Sequence, residues 1–186
     1  MPPHRSLEDL QAGLPHILAS PADNGVLRAI VVRPGEGERI DLESCAISLS
    51  GGVHGDHWAR GCWKETDGGR PHPDVQICIM NARCIETIAG ERADWSPAGD
   101  NLFIDLDLRA ENLPAGQRLA SGTAIIEVSA EPHNGCANFT TRYGRDATIF
   151  VNKGEGRTLR LRGIYARVVQ DGTVTVGDRV RKVVRA

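Results

Sequence analysis

Apolar residues run almost without a break from Val26 to Val32, and a run of that length between turn residues predicts a buried strand. Pro21-Ala-Asp-Asn-Gly25 supplies the turn before it and Pro34-Gly-Glu-Gly37 the turn after it. Ile40 and Leu42, then Ala46 to Leu49, predict a second strand. Alternation over residues 75–80 predicts another. There Asn81 caps a helix that carries Ile85, Ile88 and Ala89 on one face and stops at Gly90. Short strands follow at residues 102–104 and around Ala124, Ile126 and Val128.

The last third has the strongest β pattern. Leu159 and Leu161 face one way and Arg160 and Arg162 the other. The apolar phase then shifts to Ile164, Ala166 and Val168, as a β-bulge at Gly163 would produce. Asp171-Gly172 between two apolar runs predicts a type I′ hairpin. Gly177-Asp178 turns the chain into Val180, Val183 and Val184. At the other end, Ser6 caps a short helix from Leu7 to about Gln11, closed by Gly13 and Pro15. Many short strands with regular turns favour a mainly β, closed or partly closed barrel with a few short helices.

Residues 51–73 fit no element. A loop of that length inside a compact domain is usually functional or mobile, and this one holds His54, His57 and His72. The chain of 186 residues suits one domain rather than two, with 40% hydrophobic and 25% charged residues. The net charge of −2 conceals an uneven distribution: eleven Lys and Arg against twenty Asp and Glu in residues 1–135, and eleven against four in residues 136–186. A basic segment beside a reactive group favours an anionic ligand, and a solvated strand face explains the same charges equally well.

Five scattered cysteines form neither a disulfide framework nor a thiolate cage. No secretory signal or membrane-spanning run is present, so a reducing cytoplasm is the expected location. Nucleotide fingerprints, an iron–sulfur cysteine cluster and a nucleophile elbow are missing too. The acidic total and the scarcity of aromatics argue against nucleic acid as a partner.

Cys136 stands on a loop-like segment, Glu131-Pro-His-Asn-Gly-Cys136, with His133, Arg142 and Arg145 nearby. Positive neighbours favour the thiolate, the form that attacks carbon or ligates metal, and burial as a small hydrophobe is the competing reading. His54, His57, His133 and Cys136 together make a zinc set of acceptable donor type, which marks a zinc-stabilised binding domain as a third-ranked alternative.

Several of these pieces stand in a characteristic order: Gly55-Asp56-His57, Asp100-Asn101-Leu102, Leu113 to Gly116, Gly122 to Val128, Pro132 to Cys136, Arg162-Gly163, and Gly172 to Asp178. In that order they resemble the MOSC domain family, named for the C-terminal domain of molybdenum cofactor sulfurase. The resemblance spans roughly residues 26–184 and leaves 1–25 as an N-terminal extension with a short helix. Two departures are local: the family often has Gly-Asp-Arg-His and Glu-Asn where this chain has Gly-Asp-His and Asp100-Asn101.

The resemblance implies a MOSC-like β-barrel and molybdenum or sulfur chemistry. It makes Cys136 the catalytic thiolate and ligand of molybdenum in a molybdopterin cofactor. Asp56, His57, Asn101, His133, Asn138, Arg142, Arg160 and Arg162 are the implied cofactor-binding residues, the last two suited to its phosphate. The implied reaction is reduction of small N-hydroxylated compounds, with electrons from a separate reductase. The alternative is a carrier of persulfide sulfur or of the cofactor itself, served by a sulfur donor.

Overall fold

The structure, a computed structural model, describes residues 4–183; Val184, the last residue of the expected closing strand, lies outside that range. In β1 (Gly25–Val32) the unbroken apolar run has two destinations. Leu27, Ile30 and Val32 enter one core, and Ala29 and Val31 enter another on the opposite face. A register shift between Leu27 and Ala29 changes which positions face inward.

Seven strands close into a barrel. Around it run β11 (Arg179–Val183), β7 (Arg118–Ser121), β8 (Ala124–Pro132), β9 (Ile164–Gln170), β5 (Ile77–Asn81), β6 (Leu102–Asp105) and β1. Closure comes from Gly25 opposite Val180 and Val26 opposite Arg179. β5 and β6 are parallel, and the crossover between them carries α3 (Ala82–Ala89). The interior is aliphatic, with Ile79, Ile104, Leu119, Ile126 and Ala166 among its members. β2 (Ile40–Leu42) extends from β1 outside the barrel.

A second core lies outside the barrel wall. Val31, Met80 and Phe103 meet α1 (Leu7–Ala12), α2 (Leu14–Leu18), α3 and α4 (Ala137–Asn152) through Leu10, Ile17, Ile85, Ile88, Phe139 and Tyr143. Ser6 accepts a hydrogen bond from the Asp9 amide at the start of α1, and Asn81 accepts one from Cys84 N at 2.9 Å at the start of α3. Gly90, at φ 75°, ends α3 as its position in the sequence suggests. Gly13 caps the end of α1 as expected, and a second helix, α2, begins directly after it, with Pro15 in its first turn.

Four expectations need correction. Residues 159–163 are not a strand, so Arg160 and Arg162 do not share a strand face. They lie on a turn after α5 (Gly154–Thr158), with Arg160 at φ 53° and Leu161 in the outer core. Instead of a bulge, Gly163 provides a close crossing: a Cβ there would stand 2.1 Å from the Ile79 carbonyl oxygen. Asp171-Gly172 makes no hairpin either. β10 (Gly172–Thr175) leaves β9 and joins β3 (Ser44–Ser48) and β4 (Gly52–Val53) in a separate three-stranded sheet. Asp171 is fixed in that passage, its Oδ1 accepting from Leu49 N at 2.7 Å. Finally, the expected second strand is two strands, β2 and β3, in different sheets.

Candidate functional site

The Gly55-Asp56-His57 segment follows β4, and its central carboxylate is buried at 4% exposure. Five donors meet it: Arg33 N at 3.0 Å, Arg33 Nε at 2.8 Å, Arg33 Nη2 at 3.0 Å, Trp58 N at 3.1 Å and Asn101 Nδ2 at 2.9 Å. Burial alone would push the Asp56 carboxyl up, but the Arg33 fork and the backbone donors hold it below the ordinary carboxylate value. His57 donates through both its backbone N and its Nδ1, each at 3.0 Å, to the Arg33 carbonyl. Asn101 completes this frame by accepting from Cys78 N at 3.0 Å and from Arg33 Nη2 at 3.1 Å.

The neighbouring residue serves a second frame. Asp100 is fully buried and takes a two-pronged contact from Arg162 Nη1, at 2.9 and 2.7 Å. Burial pushes its carboxyl up, and Arg162 pulls against that shift. His133 Nδ1 stands 3.7 Å from Asp100 Oδ1, too far for a hydrogen bond, and has no other partner among the described residues. Burial, then the charges of Arg162 and Arg33, push its pKa well below the usual histidine value, so the ring is neutral. Its face lies 4.3 Å from the Tyr165 ring.

Three arginines then bind three successive carbonyls. Arg142 donates to Pro97 O at 2.6 Å, Arg162 to Ala98 O at 3.2 Å and Arg33 to Gly99 O at 2.9 Å. Arg39 approaches the same glycine: a Cβ on Gly99 would stand 3.6 Å from Arg39 Nη2 and 3.8 Å from Arg142 Nη1. Burial and then the charges of Arg142 and Arg33 push the Arg39 guanidinium down from its ordinary value. Arg33 and Arg162 have carboxylate partners, whereas among the described residues Arg39 and Arg142 have none. The cluster is therefore two positive charges in surplus.

Cys136 sits at the edge of this cluster as the N-cap residue of α4, and it is exposed. Its flanks are both tied to Arg162. Gly135 lies against the Arg162 stem, 3.6 Å from Cδ to the position a Cβ would take, and the Phe139 ring stands 4.9 Å from the guanidinium carbon. Asn152 fixes Gly135 further, with one hydrogen bond to its N and one from Nδ2 to its O.

Residues 53–181 match the profile of the MOSC domain. The chain belongs to the MOSC domain family. That family is associated with molybdenum cofactor binding. Solved structures share the fold at low identity. The YUAD protein from Bacillus subtilis is 18% identical with a TM-score of 0.56, covering 84% of this chain and 93% of that one. YiiM from Escherichia coli is 19% identical with a TM-score of 0.55, covering 87% and 71%. YiiM from Geobacillus stearothermophilus is 18% identical with a TM-score of 0.53, covering 88% and 74%. No curated protein matches the chain.

Within this MOSC domain, Asp56, His57 and Asn101 form one frame, and His133 and Arg162 belong to the adjoining one. Arg142 joins them through the Pro97 carbonyl. Asn138 is exposed on the first turn of α4, next to Cys136. Arg160 is apart from this group, donating to Leu113 O at 2.8 Å. The zinc reading is overturned: among the described residues no group of three or more His, Cys, Asp or Glu side chains could hold a metal ion. His133 is walled in by Tyr165, and His54 is exposed beyond β4. Nor is any helix of the described residues long and apolar enough to cross a membrane.

Sequence reasoning missed Arg33, Arg39 and Cys78. Arg33 follows directly on a buried strand, where a charged residue signals either the strand's end or a buried partner, and only the distant Asp56 decides which. Cys78 has its sulfur 3.4 Å from Arg33 Nη1, and burial pushes its thiol up.

Proposed function

We propose that this MOSC domain binds a molybdenum cofactor and reduces small N-hydroxylated compounds, with Cys136 as the thiolate ligand of the metal. The observation that carries the reading is the exposed Cys136 thiol between two contacts to buried Arg162, at the edge of a cluster with two uncompensated arginines. A soft thiolate suits molybdenum, and an anionic cofactor suits the surplus charge. The residues fit such a group on a further count. Arg39 Nε, Arg162 Nε and His133 Nδ1 are buried polar atoms without a hydrogen-bond partner among the described residues.

In this reading Arg39 and Arg142 hold the anionic part of the cofactor. Asp56 and Asp100 neutralise Arg33 and Arg162, so these two serve as rigid walls instead of mobile cations. His57 Nδ1 is committed to a carbonyl, which leaves its Nε2 as an acceptor for a polar group of cofactor or substrate. When bound, the cofactor supplies a two-electron centre that accepts an oxygen atom. The net reaction consumes two electrons and two protons per N–OH group and releases the amine and water. The electrons come from a separate reductase, because the chain carries no flavin, nicotinamide or iron–sulfur motif.

The exposure of Cys136 also favours a second reading, a carrier of persulfide sulfur. One experiment separates them. The protein is expressed with cofactor synthesis intact, and molybdenum, pterin and the mass of Cys136 are measured alongside reduction of a hydroxylamine or amidoxime. The proposal expects molybdenum and pterin in the wild type, both lost in Cys136→Ser. Protein free of both, with one extra sulfur atom on Cys136, makes it a carrier.

A further inference from the structure

A cleft of about 750 Å³ opens between α1, the end of α3, the outward side of β1 and the turn before β11. Pockets that hold small organic ligands span roughly 300–1,000 Å³, and this one falls in that range. Cys136, Arg39, Arg142 and Arg162 do not line it, so the thiol and its arginine cluster have no part in it.

The charged groups that line the cleft divide by partner. Glu86 meets His16 at 3.0 Å, Asp9 accepts from the Ser6 hydroxyl at 2.7 Å, and Arg92 pairs with Asp41. Arg5, Arg28 and Glu91 are exposed in the lining, and their side chains have no hydrogen-bond or ion-pair partner among the described residues. Local structure aims two of these three. The register shift between Leu27 and Ala29 makes Arg28 the extra residue of a β-bulge, a device that redirects a side chain away from the ladder. Arg5 reaches over the end of α3. Its Nη2 stands 3.5 Å from the position of a Cβ on Gly90, which lines the cleft next to Glu91. Val26, Val176 and the buried Trp95 supply the apolar part of the lining.

Two unpaired cations on one cavity repel each other, and anionic groups placed against them remove that cost. Two free guanidinium groups and one free carboxylate call for the opposite set in a ligand: two carboxylates and one ammonium group. Arginine takes a carboxylate through paired, charge-assisted hydrogen bonds. The apolar lining suits the methylene chain that joins the charged ends. We propose that the cleft binds an acidic amino acid or a short peptide built on one, with its carboxylates at Arg5 and Arg28 and its ammonium at Glu91. The site stands independently of the cofactor reading.

Calorimetric titration of the purified protein with glutamate and with reduced glutathione tests this. Glutamine, which lacks one carboxylate, and N-acetylglutamate, which lacks the ammonium, are the controls. The proposal expects saturable binding of glutamate or glutathione, with both controls weaker by about tenfold or more, the factor for one charge-assisted hydrogen bond. Arg28→Gln and Glu91→Gln alter exposed side chains without partners, so both variants are expected to fold, which thermal unfolding checks. Arg28→Gln weakens binding by about tenfold or more. Glu91→Gln removes the preference for glutamate over N-acetylglutamate. Tighter binding of glutamate identifies the free amino acid, and tighter binding of glutathione identifies a peptide; either supports the site. No saturable binding of either to the wild type overturns it, as does wild-type affinity in Arg28→Gln. Glutathione binding that disappears in Cys136→Ser places the peptide on the thiol and overturns it too.

Discussion

Asp56 and His133 differ in what burial does to them. Asp56 has five donors, so its charge is stabilised inside the protein. Asp56→Asn would keep the shape but leave the Arg33 guanidinium buried without its counter-charge, a loss of about 3 kcal/mol or more. Urea denaturation reads that directly. Because the folded carboxyl titrates below its unfolded value, its contribution is present above about pH 4 and lost as acid protonates it in the native state. His133 has the same sign in a higher window and for a different cause: burial disfavours its charged form, so its folded pKa is depressed, the unfolded chain binds the proton first below about pH 6.5, and stability falls as the pH falls. The slope from this one ring approaches about 1.4 kcal/mol per pH unit. His133→Phe keeps a ring against Tyr165 and should flatten the stability profile between about pH 6.5 and pH 5. An unchanged profile would mean that the native ring titrates normally.

Among the elements, α3 and α4 position the site from outside the barrel. Asn81 does more than cap α3: its Nδ2 also donates to Ser20 Oγ at 2.8 Å and to Leu106 O at 2.7 Å. Asn81→Ala removes the cap and strands a buried carbonyl, for an expected loss of about 2–3 kcal/mol in thermal or chemical unfolding. α4 was not legible in the sequence. Gly144 interrupts it at φ 89°, which breaks the apolar period into two short pieces, and Pro132 to Gly135 before it read as loop. The alternation at 159–162 mimics a strand for a related reason. Over so few residues, a turn that sends Leu161 into a core and Arg162 to a carboxylate produces the same apolar–polar sequence as a strand. The cap at Asn81 and the stop at Gly90 were legible because both act through bonds within a few residues.

For the whole molecule, the fold rests on the seven-stranded barrel, and the exposed thiol is peripheral to it. Its closure and two cores do not involve the Cys136 sulfur. Cys136→Ser should therefore shift stability by no more than about 0.5 kcal/mol while abolishing molybdenum retention, measured by unfolding and metal analysis on the same preparation. Arg39→Gln should lower cofactor content with intact folding, because it removes one of the two uncompensated charges. Part of the basic excess in the last third is accounted for by position: Arg162 crosses to Asp100 and Arg167 to Glu127 and Asp74, whereas Arg142 reaches only the Pro97 carbonyl.

The sequence by itself determined the β character, the start of α1, both ends of α3 and the candidate thiol, because these depend on the spacing of residues close together in the chain. The order of Asp56, Asn101, His133 and Cys136 along the chain also pointed to the family. Only the tertiary structure decided that β10 deserts β9 for β3, that Arg33 belongs to Asp56, and that Arg39 and Arg142 remain without carboxylates. Each of those depends on which distant segments share a buried space. Desolvation there makes pairing or its absence costly, and no local pattern records it.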